Sequence, residues 1–296
     1  MRRSLDGVLL LDKPAGVGSN AVLQSVKRLY AAAKAGHAGT LDPLASGLLL
    51  ILFGEATKFS QLALDADKEY LAHASLGVTT TTADADGEVL ERRPCTARLE
   101  DIEPVLAGLR GDLEQVPPMY SALKHAGRPL YALAREGREV PRAARRIRVH
   151  ALQLLRFEND VLELRVRCSK GTYVRTLVED VGRALGCGAH LAALRRTRSG
   201  VFCVEDATTF EQLQRDAAQA RDAKLLPVER LLDGLPRVDL PAALVERFTR
   251  GQALRLEGAP AGQCSVYGLQ GRLLGLGEGR SESELRPRRL VNYASG

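Results

Sequence analysis

Apolar and polar positions follow two different periods along this chain, and the switches between them mark its elements. Residues 7–11 form a continuous apolar run, which predicts a strand buried on both faces that ends at Asp12-Lys13-Pro14. Val22, Leu23, Val26 and Leu29 recur at helical spacing behind Ser19, a residue type suited to capping that helix. Residues 48–53 read as a second strand, 55–64 as helix and 70–76 as strand. A polar turn region at 79–87 then leads to a helix over 99–109.

Residues 116–146 break this rhythm. Val116-Pro117-Pro118 interrupts regular structure, and Gly, Pro and Arg dominate the rest of the stretch, apart from a short helical piece at 130–135. It reads as a surface insertion. Alternation returns at 146–157 and 161–168, a hairpin turning at Asn159-Asp160. An amphipathic helix at 176–185 closes at Gly186. Further helices are expected at 208–219 and 223–232. The strongest boundary signal is Asp233-Gly234-Leu235-Pro236. Beyond it come a short helix at 241–250 and Gly-punctuated strands such as 265–269 and 272–277, the pattern of a small β-rich module. Mixed strands and helices of this kind predict an α+β fold.

Composition narrows the function. The 296 residues allow one large domain and a small one, or two of medium size. No apolar run is long enough to cross a membrane, and the N-terminus lacks the apolar core of a signal peptide. Cys95, Cys168, Cys187, Cys203 and Cys264 are scattered, odd in number and without a Cys-x-x-Cys pair, which points to a reducing cytoplasm. The five histidines show no metal-ligand spacing. Net charge is +6, and arginines cluster at 135–148, 195–198 and 286–289. Three arginine clusters in a basic chain predict a polyanionic partner.

Candidate chemistry concentrates in Gly36-His37-Ala38-Gly39-Thr40-Leu41-Asp42-Pro43-Leu44-Ala45-Ser46-Gly47. This loop presents one carboxylate, Asp42, just ahead of a buried apolar element, where geometry can be held fixed. As a bare Asp-Pro it could equally be a turn. Partners are available in Asp12-Lys13-Pro14, in Lys68-Glu69-Tyr70 and in Ser169-Lys170-Gly171-Thr172-Tyr173-Val174-Arg175. An arginine beside a buried carboxylate favours its ionised form, and a tyrosine can stack on a base or relay a proton. His37 is a further candidate base, or a loop hydrogen-bonder.

Taken in order, these segments resemble the TruB-type bacterial tRNA pseudouridine-55 synthases. The resemblance is carried by Leu11 to Pro14, Gly36 to Gly47 with Gly54 to Lys58, Lys68 to Tyr70 and Val116 to Lys124. Leu130 to Gly137, Ser169 to Arg175, Ala189-His190-Leu191 and Leu194-Arg195-Arg196 complete it. It runs from about Gly7 to Phe202 and more weakly beyond. One departure is Gly18-Ser19, where two hydroxyl residues are commoner, so that the cap of the first helix rests on Ser19.

The resemblance implies a central mixed, largely antiparallel sheet flanked by helices in a catalytic domain at 1–234. It implies an RNA-gripping insertion at about 117–146 and a PUA-like RNA-binding module at 235–296. Asp42 matches the catalytic aspartate, Tyr70 the tyrosine under the target base and Arg175 the arginine paired with the aspartate. Lys13, Pro14, Tyr173 and Leu194 match residues shaping the substrate pocket, and His37 one that moves the RNA loop. The implied partner is tRNA, through its T-loop and acceptor stem, with neither metal nor cofactor. The implied protein is a cytoplasmic monomer. A non-catalytic tRNA chaperone, a carboxylate-dependent hydrolase and a synthase acting in an RNA-guided complex are the alternatives.

Overall fold

The computed structural model describes residues 2–121, 123–281 and 283–292. Met1, Ala122 of the insertion motif, and Glu282 and the last four residues of the expected C-terminal module therefore lie outside the described residues. Strand β1 (Gly7–Lys13) leads to α1 (Ser19–Leu29), the hairpin of β2 (Ala35–Ala38) and β3 (Ser46–Phe53), α2 (Ser60–Asp65) and β4 (Lys68–Leu76). A ribbon of β5 (Val78–Thr80) and β6 (Val89–Arg92) and then α3 (Leu99–Gly108) precede β7 (Gly111–Gln115). The insertion carries β8 (Lys124–His125), β9 (Arg128–Pro129) and α4 (Leu130–Arg135). After it come β10 (Arg145–Glu158), β11 (Val161–Cys168), α5 (Val174–Ala184), β12 (Ala189–Ser199), β13 (Phe202–Cys203), β14 (Thr208–Thr209), α6 (Phe210–Arg215) and α7 (Ala218–Asp222).

Ten strands make one mixed sheet in the order β14-β1-β3-β12-β4-β11-β10-β7, with β2 alongside β3 and β13 alongside β12. β14 on β1 and β12 on β3 run parallel. The other pairings are antiparallel, as expected for the fold class. The unbroken apolar run of β1 is explained by burial on both faces. Leu9 and Leu11 pack with Val22, Leu23 and Val26 of α1, while Val8 and Leu10 pack with Phe59 and Phe202 on the other side. α5 buries Val174, Leu177, Val178 and Val181, a 3.6-residue stripe laid against β4 and β11.

Several expectations need correction. Ser19 does not cap α1: the cap position is Gly18, with no side-chain hydrogen bond. Residues 54–59 are a 3-10 turn, so the helix expected at 55–64 is regular only from Ser60. The helix expected at 208–219 is strand β14 followed by two short helices, because Asp216 takes an extended conformation. Of 223–232, only Val228–Leu232 is helical, as a 3-10 turn after Pro227. Strand β12, which lies between β3 and β4, has no counterpart among the elements expected from the sequence. Bulges at 191/193 and 196/198 shift its alternation, so no clean two-residue period is visible.

The C-terminal part is β-rich, with β15 (Arg237–Asp239), α8 (Ala242–Thr249), β16 (Leu254–Arg255), β17 (Gly262–Tyr267), β18 (Leu273–Ser281) and β19 (Glu284–Leu290). Its five-stranded sheet has the order β15-β17-β18-β19-β16. It has its own core around Phe248, Cys264 and Val266. It also shares one with the larger part, where Leu273 and Leu276 join Val228, Leu231 and Leu232.

Candidate active-site cleft

Asp42 sits in the connection between β2 and β3, and each part of that connection is tied to a different element. Ser19 Oγ donates to Leu41 O and accepts from Leu41 N, both at 2.8 Å. Pro43 O accepts from Gly16 N at 2.7 Å. Leu41 and Ala45 drop into the main core beside Tyr70. The loop has little freedom left, as a reactive carboxylate requires. The hydroxyl expected at the helix cap is used here instead.

Above the loop is a cleft of about 670 Å³. Asp42, Arg175 and Asp84 line its floor, the 81–88 loop forms one wall, and Tyr120, Tyr131 and Arg135 of the insertion form the other. Arg175 is brought there by the first turn of α5, and its side chain is only 5% exposed. Its Nη2 lies 3.0 Å from Asp42 Oδ2, and its Nη1 donates to Asp84 Oδ2 at 3.1 Å. The fork is completed by Nη1 to Thr82 O at 3.2 Å and Nη2 to Tyr120 O at 2.6 Å.

Asp42 keeps 44% of its side chain accessible through the cleft mouth, yet protein surrounds it on the other sides. Burial raises its carboxyl above the ordinary carboxylate value; Arg175 opposes the shift, Asp84 adds to it and Lys13 opposes it. Lys13 is fully buried and donates to Pro14 O at 2.8 Å and Val17 O at 2.6 Å. The same burial pulls its ammonium down to about 8, against the attraction of Asp42.

Tyr70 stands on β4, buried in the core beside Leu41, with Leu194 packed against the same cluster. Burial raises its phenol, and the charge of Arg196 opposes that rise. Tyr173 caps the start of α5; its backbone N and O bond the Gln115 side chain at 2.7 and 3.1 Å. Its half-buried phenol is likewise raised by burial, with the charge of Arg145 opposing. His37 is on β2, away from the cleft lining, with Nδ1 buried and lacking a hydrogen-bond partner among the described residues. Burial and then Arg196 pull its imidazole down, favouring the neutral ring.

The sequence assigns no role in this site to two further residues. Asp84 belongs to a segment with the composition of a polar turn, and it is fixed in place by β12. Ala85 N donates to Leu191 O and Leu191 N to Ala83 O, both at 3.0 Å. Arg196 belongs by sequence to a basic cluster, but it is 1% exposed and faces Tyr70 across the β4–β12 pairing. Arg195, its neighbour, pairs with Asp12 through two bonds of 3.0 and 2.7 Å. That cluster is therefore mostly structural, leaving Arg198 exposed.

Comparison with known proteins bears on the whole chain. Residues 27–174 match the family model described as TruB family pseudouridylate synthase (N terminal domain). Residues 175–233 match the tRNA pseudouridylate synthase B C-terminal domain, and 236–291 the pseudouridine synthase II TruB C-terminal model. The tRNA pseudouridine synthase B of Methylobacillus flagellatus is 52% identical over 295 residues, covering 99% of this chain and 98% of its own. That of Aromatoleum aromaticum is 53% identical over 291 residues, covering 98% and 94%. Among solved structures, the Cbf5-Nop10-Gar1 complex aligns at a TM-score of 0.72 and 29% identity, over 94% of this chain and 79% of that one. An H/ACA RNP bound to a substrate RNA containing 2'-deoxyuridine aligns at 0.71 and 26%, over 96% and 84%.

Proposed function

The chain belongs to the TruB family of pseudouridylate synthases, and from that membership and the cleft we propose how its residues carry the reaction. It is an isomerase that converts uridine in tRNA to pseudouridine. The observation that carries the residue assignment is the Asp42–Arg175 pair at 3.0 Å on the floor of an open cleft. The target is the uridine at position 55 of the T-loop, which must leave the stacked loop to reach Asp42. Flipping costs roughly a few kcal/mol. Phosphate contacts from arginines of the insertion and from the C-terminal module offset that cost.

Asp42, as the carboxylate, initiates cleavage of the bond between uracil N1 and the sugar C1′. The freed uracil turns in the pocket, C5 bonds to C1′, and the C5 proton leaves while N1 ends protonated. Tyr70 supports the base, and Leu194 and Tyr173 help to exclude water from the intermediate. Lys13 and Pro14 shape the floor, and His37 positions the RNA loop. The route uses only this chain's side chains and the RNA. Residues 1–234 serve catalysis, and 235–296 hold the acceptor-stem side of the tRNA. The enzyme acts as a monomer in this reading. Five free cysteines support a reducing, cytoplasmic setting.

The test is tritium release from tRNA labelled at uridine C5. Wild-type protein should release it, whereas Asp42→Asn should not, with tRNA binding kept within a few-fold. Turnover near the wild-type rate in Asp42→Asn would remove Asp42 from the chemistry.

A further inference from the structure

Arg196 is a guanidinium sealed inside the protein, 1% exposed, and among the described residues backbone carbonyls, not a carboxylate, accept its hydrogen bonds. Its Nε donates to Leu48 O at 2.7 Å and its Nη2 to Gly39 O at 2.9 Å. Those two carbonyls flank the loop that carries Asp42. The guanidinium also interacts electrostatically with the Tyr70 phenol, its cross-strand neighbour. On the backbone, Arg196 pairs with Gly47 of β3 on one side and Tyr70 of β4 on the other.

The neighbouring glycines make room for this. A Cβ at Gly39 would lie 3.1 Å from Arg196 Nη1, and one at Gly47 would lie 2.3 Å from Arg196 O. Both glycines have positive φ, +78° and +97°, which other residues rarely adopt. A fully buried cation without an anionic partner is costly, and apolar packing would serve stability as well. Stability alone therefore does not account for an arginine here.

We propose that Arg196 is a positioning residue for the isomerisation, locking Tyr70 to both ends of the Asp42 loop and placing a fixed positive charge beneath the target base. This rests on the residue assignment above. Negative charge develops on uracil when the N1–C1′ bond breaks, and a cation preorganised in a dry site stabilises such charge without reorganisation. Arg196 touches neither substrate nor Asp42 itself, so its action passes through Tyr70 and the loop.

The experiment compares wild type, Arg196→Lys, Arg196→Met and Asp42→Asn by single-turnover pseudouridine formation, tRNA Kd and urea unfolding. Arg196→Met should slow the chemical step by ~100-fold with Kd changed less than ~3-fold, the scale expected when reacting groups are misplaced by about 1 Å. Arg196→Lys keeps the charge but loses the fork, and should recover part of that rate. Should the methionine variant fail to fold, the lysine variant alone decides, with a slowed chemical step expected at unchanged Kd. A folded Arg196→Met with the wild-type rate, a loss confined to Kd, or a lysine variant no faster than a folded methionine one would overturn the proposal. An unaltered rate in Arg196→Lys would overturn it where methionine does not fold. Asp42→Asn keeps the two readings separate: if it is inactive while Arg196 variants are normal, only the role of Arg196 falls.

Discussion

Asp84 and Asp42 hold the same guanidinium from its two ends, 3.1 Å from Nη1 and 3.0 Å from Nη2 of Arg175. Asp84 is buried and Asp42 faces the cleft. Asp84 thus fixes where Arg175 points, and its own charge raises the Asp42 carboxyl. In Asp84→Asn that charge is removed and Arg175 acts more fully on Asp42. The acidic limb of the kcat profile should move to lower pH while kcat at neutral pH falls, because the arginine is held less firmly. Asp84→Ala, which leaves a buried donor unmatched, should also lose about 3 kcal/mol of stability in urea. An acidic limb that stays put in Asp84→Asn would mean the two carboxylates are not coupled.

The pH dependence has a second contributor. Lys13 titrates near 8 when folded, below its unfolded value of about 10.4. Between those values the unfolded chain holds more protons, so this group favours folding increasingly as pH rises through the window. The raised Asp42 carboxyl acts oppositely: its favourable contribution is present at low pH and is lost as pH rises through its folded value. On the proposed role of Asp42, activity needs its carboxylate and is lost as pH falls through that raised value. Below about 8 the Lys13 ammonium supports the carboxylate, and above it that support disappears. The kcat profile should therefore rise through the raised Asp42 value to a plateau. Lys13→Met, which removes one of the charges that hold the Asp42 carboxyl down, should shift the acidic limb upward. An acidic limb unchanged in Lys13→Met would show that the ammonium does not act on Asp42.

Ser19 offers a sharper local test. Its hydroxyl exchanges two 2.8 Å bonds with Leu41, one residue before Asp42. Ser19→Ala leaves the buried Leu41 N–H unmatched, at a cost of about 1–3 kcal/mol. Turnover should fall more than tRNA affinity, because the loop rather than the RNA surface is loosened. Equal stability of the two proteins in urea would show that water or another group replaces the hydroxyl.

The legible part of the sequence is whatever carries its own period. β4, the β10–β11 hairpin and α5 can be read because each buries a regular stripe, and β1 because its apolar run is unbroken. Asn159 and Asp160 announce their turn, and both take positive φ. Asp42 and Arg175, candidates from separate segments, stand together in the structure. β12 stays hidden because its bulges interrupt alternation, and Arg196 within it reads like one more surface arginine. Asp84 is hidden for another reason. Its burial depends on backbone bonds to Leu191, more than a hundred residues away in the chain, and local composition carries no trace of such a contact.

The junction with the C-terminal module makes the last prediction. Leu273 of β18 is fully buried, and with Leu276 it covers Val228, Leu231 and Leu232 of the larger part. Lys58 Nζ donates to Leu290 O at 3.1 Å, and Asn292 N to Glu55 Oε2 at 2.6 Å, so polar bonds rim the apolar contact. Removing most of the Leu273 side chain leaves a cavity whose walls collapse only partly, costing about 2–5 kcal/mol. Leu273→Ala should lower the urea midpoint accordingly, while the rate on a short T-arm stem-loop stays close to wild type because the cleft lies elsewhere. Limited proteolysis should then cut faster within 233–236, where the linker loses its shelter. If the stem-loop rate fell as much as the rate on full tRNA, the junction would be communicating with the cleft, and the module could not be treated as an independent grip on the RNA.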